Sequence, residues 1–430
     1  MSRDAPEATC PRRRTERDRI PTDMDDRMPS VSRPAVPTRP SVFEIFAIFL
    51  RLGLTCFGGP IAHLGFFREE FVRRRAWLTD AAFADIVALC QFMPGPSSSQ
   101  VGIALGLRQG GIAGAIAAWT GFTLPSAALL CAFGLLVGRH GATAQSGWLH
   151  GLSLVAVAVV AQALWGMLRT LAPDRSRVAI AVASTVIMLA FTTPLMQLAV
   201  LAFGALAGWL LRGRLPEVSE HSEPIGAGGR VHAVLMIGLF VLLLLGLPAL
   251  ATVSGNYPLH LFASFFRVGS LVFGGGHVVL PLLEQVVVPP HWVTPGAFIA
   301  GYGAAQAVPG PLFTFAAFLG AVSNQQPAGV VGAAIAVVAI FLPSFLLVIG
   351  VMPLWERLRG LAACRYALMG VNAAVVGLLA AAFYSPLCVN ALRHPADIAF
   401  ALVALALLMA ARLPPWLVVA FSALAGYLIF

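Results

Sequence analysis

The chain contains no lysine; all 28 of its basic side chains are arginine. Charge of either sign is scarce, at 11% of 430 residues, where a soluble domain carries about 25%. A chain so poor in charge cannot clothe itself in polar surface in water. It also lacks a Walker A loop, a His-Glu-x-x-His helix and a Gly-x-Ser-x-Gly elbow. ATP hydrolysis, zinc peptidase and serine hydrolase chemistry therefore have no residues to carry them. The six cysteines (Cys10, Cys56, Cys90, Cys131, Cys364, Cys388) are scattered, with no Cys-x-x-Cys pair. They read as small apolar residues rather than a metal or redox centre, and no cofactor is expected.

Hydrophobic residues make up 58% of the chain and its mean hydropathy is +0.84. The apolar runs are continuous, whereas the strands of a membrane barrel are short and alternate. They are long enough to span a bilayer core, which takes roughly 20 helical residues. The fold class expected is an all-α polytopic membrane protein. The formal charge of +9 does not signal nucleic acid, because the arginines sit in the N-terminal segment and in short loops between apolar runs, as the positive-inside bias produces.

Residues 1–40 are rich in Arg, Asp and Pro and read as a disordered cytoplasmic tail. No apolar stretch follows Arg12, Arg13 and Arg14 closely enough for a secretory signal. A polar linker at 212–231 divides the apolar segments, and its two sides repeat each other. Arg51–Pro60 (RLGLTCFGGP) matches Arg267–Gly276 (RVGSLVFGGG), and Trp77 matches Trp292. Gln91–Pro96 (QFMPGP) matches Gln306–Pro311 (QAVPGP), and Phe122–Ser126 (FTLPS) matches Ile340–Ser344 (IFLPS). The offset stays between 215 and 218 residues. Matched order at near-constant offset predicts two homologous halves, 41–211 and 259–430, with the extra segment 232–258 between them. Internal repeats of this kind characterise secondary transporters, whose site lies at the repeat interface.

The arginines also predict the path of the chain. The tail and the loop Arg68–Arg75 are both Arg-rich, so a single crossing by 43–67 would put one of them outside. A re-entrant hairpin turning at Gly58-Gly59-Pro60 removes the conflict, and Pro94-Gly95-Pro96 invites the same reading. The extra segment then flips the second half, and the loop 284–296 indeed contains no Arg. The expectation is an inverted repeat with a cytoplasmic N-terminus and a periplasmic C-terminus.

Glycine and proline inside apolar segments need a reason, since both disturb helical hydrogen bonding. Freed backbone groups are tolerated in a bilayer only when buried in protein or lining a wet cavity. Four breaks occur in matched pairs: Gly58-Gly59-Pro60 with Gly274-Gly275-Gly276, and Pro94-Gly95-Pro96 with Pro309-Gly310-Pro311. Half-helix N-termini at such breaks bind anions, and Ser97, with Ser98 and Ser99, could add hydroxyl donors. Tight packing would explain any one break, but not two matched pairs. Arg51 and Arg267 occupy equivalent positions in apolar segments, where a cation is costly and usually faces a cavity; the alternative is that each snorkels to an interface. Guanidinium offers an oxyanion a planar fork of donors. His63 and His277 lie just past the Gly breaks without aligning, and either could couple transport to protons. Gln91 and Gln306, with Asn372, could donate to substrate or tie helices together. Glu69, Glu70 and Glu284 read as interfacial charges.

The Phe-Gly-Gly-Pro after an Arg-containing helix, Trp77, the Gln-x-x-Pro-Gly-Pro element and their duplication resemble the signature of the chromate ion transporter family. The resemblance covers about residues 41 to 430. It implies a long-chain, two-domain bacterial inner-membrane protein that exports chromate, with sulfate as a related ligand. The residues themselves support only an oxyanion. The partners expected are that oxyanion and the lipid bilayer, with no nucleic acid; a homodimer is left open. The competing readings are a general sulfate carrier and a membrane-embedded lipid-modifying enzyme, for which carboxylate or His clusters at one membrane face are missing.

Overall fold

The computed structural model describes residues 40–57, 59–140, 147–191, 194–212, 230–272, 279–355 and 362–429. The described residues are almost wholly helical and include no strand. Gly58, Gly274, Gly275, Gly276 and His277, together with the tail, lie outside them.

The first half opens with α1 (Val42–Thr55), α2 (Gly59–Phe67) running into a π turn (Arg68–Arg74), and α3 (Asp80–Phe92). At 1.5 Å per residue, α1 and α3 are each about 20 Å long. The chain turns back after α1. Arg51 meets Glu70 at 2.6 Å, Glu44 near the start of α1 meets Arg75 at 3.1 Å, and the Phe49 and Phe71 rings stack at 5.1 Å. Such pairing requires antiparallel arms, so α1 and α2 form a re-entrant hairpin as the arginines predicted. Helix α4 (Ser97–His140) is broken at Gly110 and Gly111, whose backbone angles are not helical. Its first part returns from the Pro94-Gly95-Pro96 break, and Gly110 comes to rest against Ile45 near the start of α1. Both hairpins therefore open on one face, here the first face. The second part of α4 crosses to the other.

Three helices complete this half: α5 (Gly147–Leu171), α6 (Arg175–Ala190) and α7 (Pro194–Leu210). Helix α8 (Arg230–Ser254) is the extra crossing. The second half repeats the pattern with α9 (Tyr257–Leu271), α10 (Val279–Val287), α11 (Pro295–Ala307), α12 (Phe315–Ala321) and α13 (Gly329–Val351). Here too the hairpins open together. Tyr257 starts α9, packs on Trp292 beyond α10 (5.1 Å between rings) and bonds Ser323 beyond α12 at 2.5 Å. Asn324 N–H donates to Trp292 O at 2.8 Å. Helix α14 (Ala362–Ala382), a π segment (Phe383–Cys388), α15 (Pro395–Met409) and α16 (Pro415–Ile429) end the chain. Five described helices are long and apolar enough to cross a membrane.

The sense of the repeat follows from how equivalent helices pack. Trp119 of α4 lies against Phe341 and Phe345 of α13, while Gly329, at the start of α13, lies against Leu135 near the end of α4. The two helices are antiparallel and cross near the matched Phe122 and Ile340. A two-fold axis relating antiparallel helices is perpendicular to both, so the repeats are inverted and their hairpins open on opposite faces. Small residues seat the first helix of each repeat closely on its own crossing helix: Gly53 of α1 packs on the backbone of Gly121 and Phe122 in α4, and its counterpart Gly269 of α9 packs on that of Ile340 in α13. A further tie joins the halves at the second face. The fully buried Asp397 of α15 accepts from His150 Nε2 of α5 at 2.7 Å and from the His394 N–H at 2.8 Å.

Candidate anion site at the crossed helix breaks

The two Pro-Gly-Pro breaks meet the opposite repeat, each in the same way. Gly95 N–H donates to Val272 O, the residue before the second Phe-Gly-Gly, at 2.6 Å. Gly310 N–H donates to Cys56 O, the residue before the first, at 2.9 Å. Both glycines hold a positive φ, +125° and +101°, which L side chains rarely adopt. A Cβ on Gly95 would lie 2.9 Å from Ser344 Oγ, and one on Gly310 would lie 2.9 Å from Ser126 Oγ. The matched Phe-Thr-Leu-Pro-Ser and Ile-Phe-Leu-Pro-Ser elements thus each cradle the other repeat's break. A helix broken in the bilayer must satisfy its freed backbone groups within the protein, and here each repeat serves the other.

The surroundings of the two breaks differ. Beyond Pro96 the chain reads Ser97-Ser98-Ser99-Gln100; beyond Pro311 it reads Leu312-Phe313-Thr314-Phe315. In the first repeat, Gln100 N bonds Pro96 O at 2.9 Å, which leaves the N–H groups of Ser97, Ser98 and Ser99 as the donors of a helix start. Ser98 Oγ bonds Nδ1 of the buried His63 at 3.2 Å. Gln100 Nε2 is held by Pro94 O at 2.6 Å. Among the described residues, the buried Ser99 Oγ, Thr123 Oγ1, Ser344 Oγ and His63 Nε2 have no hydrogen-bond partner. Buried polar groups are normally paired with protein, water or ligand. In the second repeat the Thr314 hydroxyl and N–H both turn back to Pro311 O, at 2.7 and 3.0 Å.

The arginines differ as well. Arg51 is half exposed and paired with Glu70, a buried carboxylate that also takes Arg74 at 3.0 Å and Arg75 at 2.8 Å. Gln285 stands where Glu70 stands in the first repeat, so Arg267 has no carboxylate at that position, and it forms no ion pair among the described residues. Arg267 lies about 7.5 Å along α9 from Val272, the residue that takes the Gly95 N–H. The Gln91 side chain is exposed, apart from this cluster. Gln306 Nε2, in the last turn of α11 before Pro309, and Asn372 Oδ1, in α14, are buried without a partner among the described residues. Gly59 is left-handed (φ +77°) with open space where a Cβ would be, and Pro60 follows it in the first turn of α2. Sequence reasoning missed Gln100, Thr123 and Ser344; the repeated Pro-Ser of the two crossing elements was the available signal for Ser344.

Comparison with known proteins decides what kind of carrier this is. The family described as Chromate transporter matches residues 43–209 and again 259–427. The chain belongs to the chromate transporter family. It is 29% identical to the chromate transport protein of Pseudomonas aeruginosa over 386 residues, covering 84% of this chain and 85% of that one. It is 28% identical to the chromate transport protein of Cupriavidus metallidurans over 396 residues, covering 89% and 92%. The transporter YwrA of Bacillus subtilis is 29% identical over 117 residues, which are 27% of this chain but 64% of YwrA. No solved structure matches the chain. Membership makes this family member a multi-pass membrane carrier of an oxyanion and not an enzyme, which removes the lipid-modifying reading.

Proposed function

We propose that the protein exports a chromate-type oxyanion from the cytoplasm, driven by an ion gradient or the membrane potential. The observation that carries this reading is the Ser-rich helix start at Pro94-Gly95-Pro96, buried where the inverted repeats cross. Three N–H groups and the hydroxyls of Ser98, Ser99, Thr123 and Ser344 suit a tetrahedral anion, and the helix dipole adds partial positive charge. A dianion leaving water also needs full positive charge, because desolvating an ion is costly. Arg267 supplies it, while Arg51 fastens the first hairpin through Glu70. Gly310 and Pro311 with Pro309 hold the other side of the crossing.

The arginines support the direction. Arg68, Arg73, Arg74, Arg75, Arg108, Arg169, Arg175, Arg177, Arg212, Arg365 and Arg412 belong to the first face, while Arg139 and Arg393 belong to the second. The positive-inside rule supports a cytoplasmic first face, with the start of α1 on that side and the end of α16 on the periplasmic side. The test is uptake of radiolabelled chromate into everted membrane vesicles. Uptake that stops with an uncoupler supports energised export; uptake equal to that of vesicles without the protein would end the proposal. Sulfate resembles chromate in shape and charge and is the runner-up substrate. Equal competition by sulfate would favour a general oxyanion carrier.

A further inference from the structure

We propose that Glu284 binds the proton whose gradient drives transport. This rests on the export reading above and adds the coupling ion and its residue. Glu284 sits on α10, the return arm of the hairpin that opens on the second face. It forms a wall common to two cavities. One, of about 260 Å³, is also lined by Gln285, Met188 and Ser385. The other, of about 20 Å³, is lined by Phe298, Tyr302 and Leu379, and is large enough for about one water molecule.

The first repeat shows what this position does without such a role. The counterpart Glu69 is exposed and pairs with Arg73. Inversion removed every arginine from 284–296, and Glu284 has neither an ion pair nor a hydrogen bond among the described residues. The elements packed around it bring few ionisable groups. Helix α11 brings Tyr302, α9 carries His260 and Arg267, the following loop carries the exposed His291, and the π segment carries the exposed Tyr384. Helices α5, α6 and α14 line the cavities with apolar residues such as Val160, Met188 and Leu379. An ionisable residue in such a place within a membrane protein is a functional group by default.

The wall opposite is itself irregular. The π segment Phe383–Cys388 interrupts the helix, with Ser385 extended at φ −130° and ψ 118°, and lines both cavities. Interruptions of this kind cluster at functional sites. The chemistry is proton transfer alone: an O–H bond forms at the Glu284 carboxylate from the second face and breaks toward the cytoplasm. Protonation neutralises the side chain in its apolar wall, and an anion moving outward while the proton moves inward is drawn by the same gradient.

The test uses the full chain in proteoliposomes loaded with radiolabelled chromate. For the native protein an imposed pH gradient should accelerate net chromate flux. In Glu284→Gln that acceleration should be lost while chromate-for-chromate exchange at equal pH continues. Native flux indifferent to the gradient, or a Glu284→Gln variant that responds like the native protein, would overturn the proposal and leave the export reading standing; no exchange by the native protein would sink the export reading itself. Should the variant fail to fold, dicyclohexylcarbodiimide, an apolar reagent for protonated carboxyls, can be applied to the native protein. A Glu284 adduct that declines as pH rises supports the site, and no adduct at any pH overturns it.

Discussion

The two repeats share a scaffold and divide the chemistry. In the first, Arg51 is neutralised by Glu70, and the helix start after Pro96 presents Ser98 and Ser99. In the second, Gln285 replaces that carboxylate, Arg267 forms no ion pair among the described residues, and the start after Pro311 is Leu312, Phe313 and a self-bonded Thr314. The backbone exchange, Gly95 to Val272 and Gly310 to Cys56, is nearly symmetric. Duplication preserved the contacts that close broken helices in a bilayer, where every failure costs several kcal/mol. It left side chains free to diverge, so the polar helix start of one repeat meets, through Gly95 and Val272, the helix that carries Arg267 of the other.

The comparison is broken most severely at the symmetric part. Gly95→Ala forces a side chain into a positive-φ position against Gln100 and Ser344; strain of this kind costs on the order of 1–3 kcal/mol. Chromate transport should be abolished, and Gly310→Ala should match it. Normal efflux from both at equal membrane abundance would show that the crossing is dispensable.

Next comes the arginine pair. If Arg267 supplies the positive charge as proposed, Arg267→Gln removes a charged donor worth about 1.5–3 kcal/mol and should reduce transport by about tenfold or more. Arg51→Gln leaves Arg74 and Arg75 on the buried Glu70 and should change it by less than about threefold, because two guanidiniums still pair that carboxylate. Equal losses would mean that the repeats share the anion evenly. Chromate efflux from cells of matched expression measures both.

A smaller effect is expected from single hydroxyls. Ser99→Ala should weaken chromate affinity by about a few-fold, since it removes one of several hydroxyl and N–H donors and leaves the others on the anion. Thr314→Ala, in the repeat whose hydroxyl is already bonded to Pro311 O, should leave affinity unchanged. The concentration dependence of vesicle uptake reads the contrast. Glu69→Gln should be smallest of all, because its i,i+4 pair with Arg73 is solvent-exposed.

The hairpins and the inversion were legible because arginine placement and Gly-Pro breaks are local marks that survive duplication. Glu70 was within reach: once the chain turns at Gly59, Glu70 must face Arg51. What the sequence hid was non-local. That Gly95 meets Val272, or that Ser344 lies against Gly95, depends on two helices crossing some 220 residues apart in the chain. Gln100 and Thr123 looked like ordinary helix residues. Glu284 read as an interfacial charge, since its cavity is made by α14 and the π segment, about 100 residues further along.

The inversion itself can be tested by labelling. In a background with the six cysteines replaced by serine, single cysteines are placed at Arg74→Cys and His291→Cys, in the equivalent hairpin loops of the two repeats. Intact cells are treated with a membrane-impermeant maleimide. The account predicts labelling at position 291 without lysis and at position 74 only after it. Labelling of both positions from the same side would contradict the inverted repeat, and with it the crossed site.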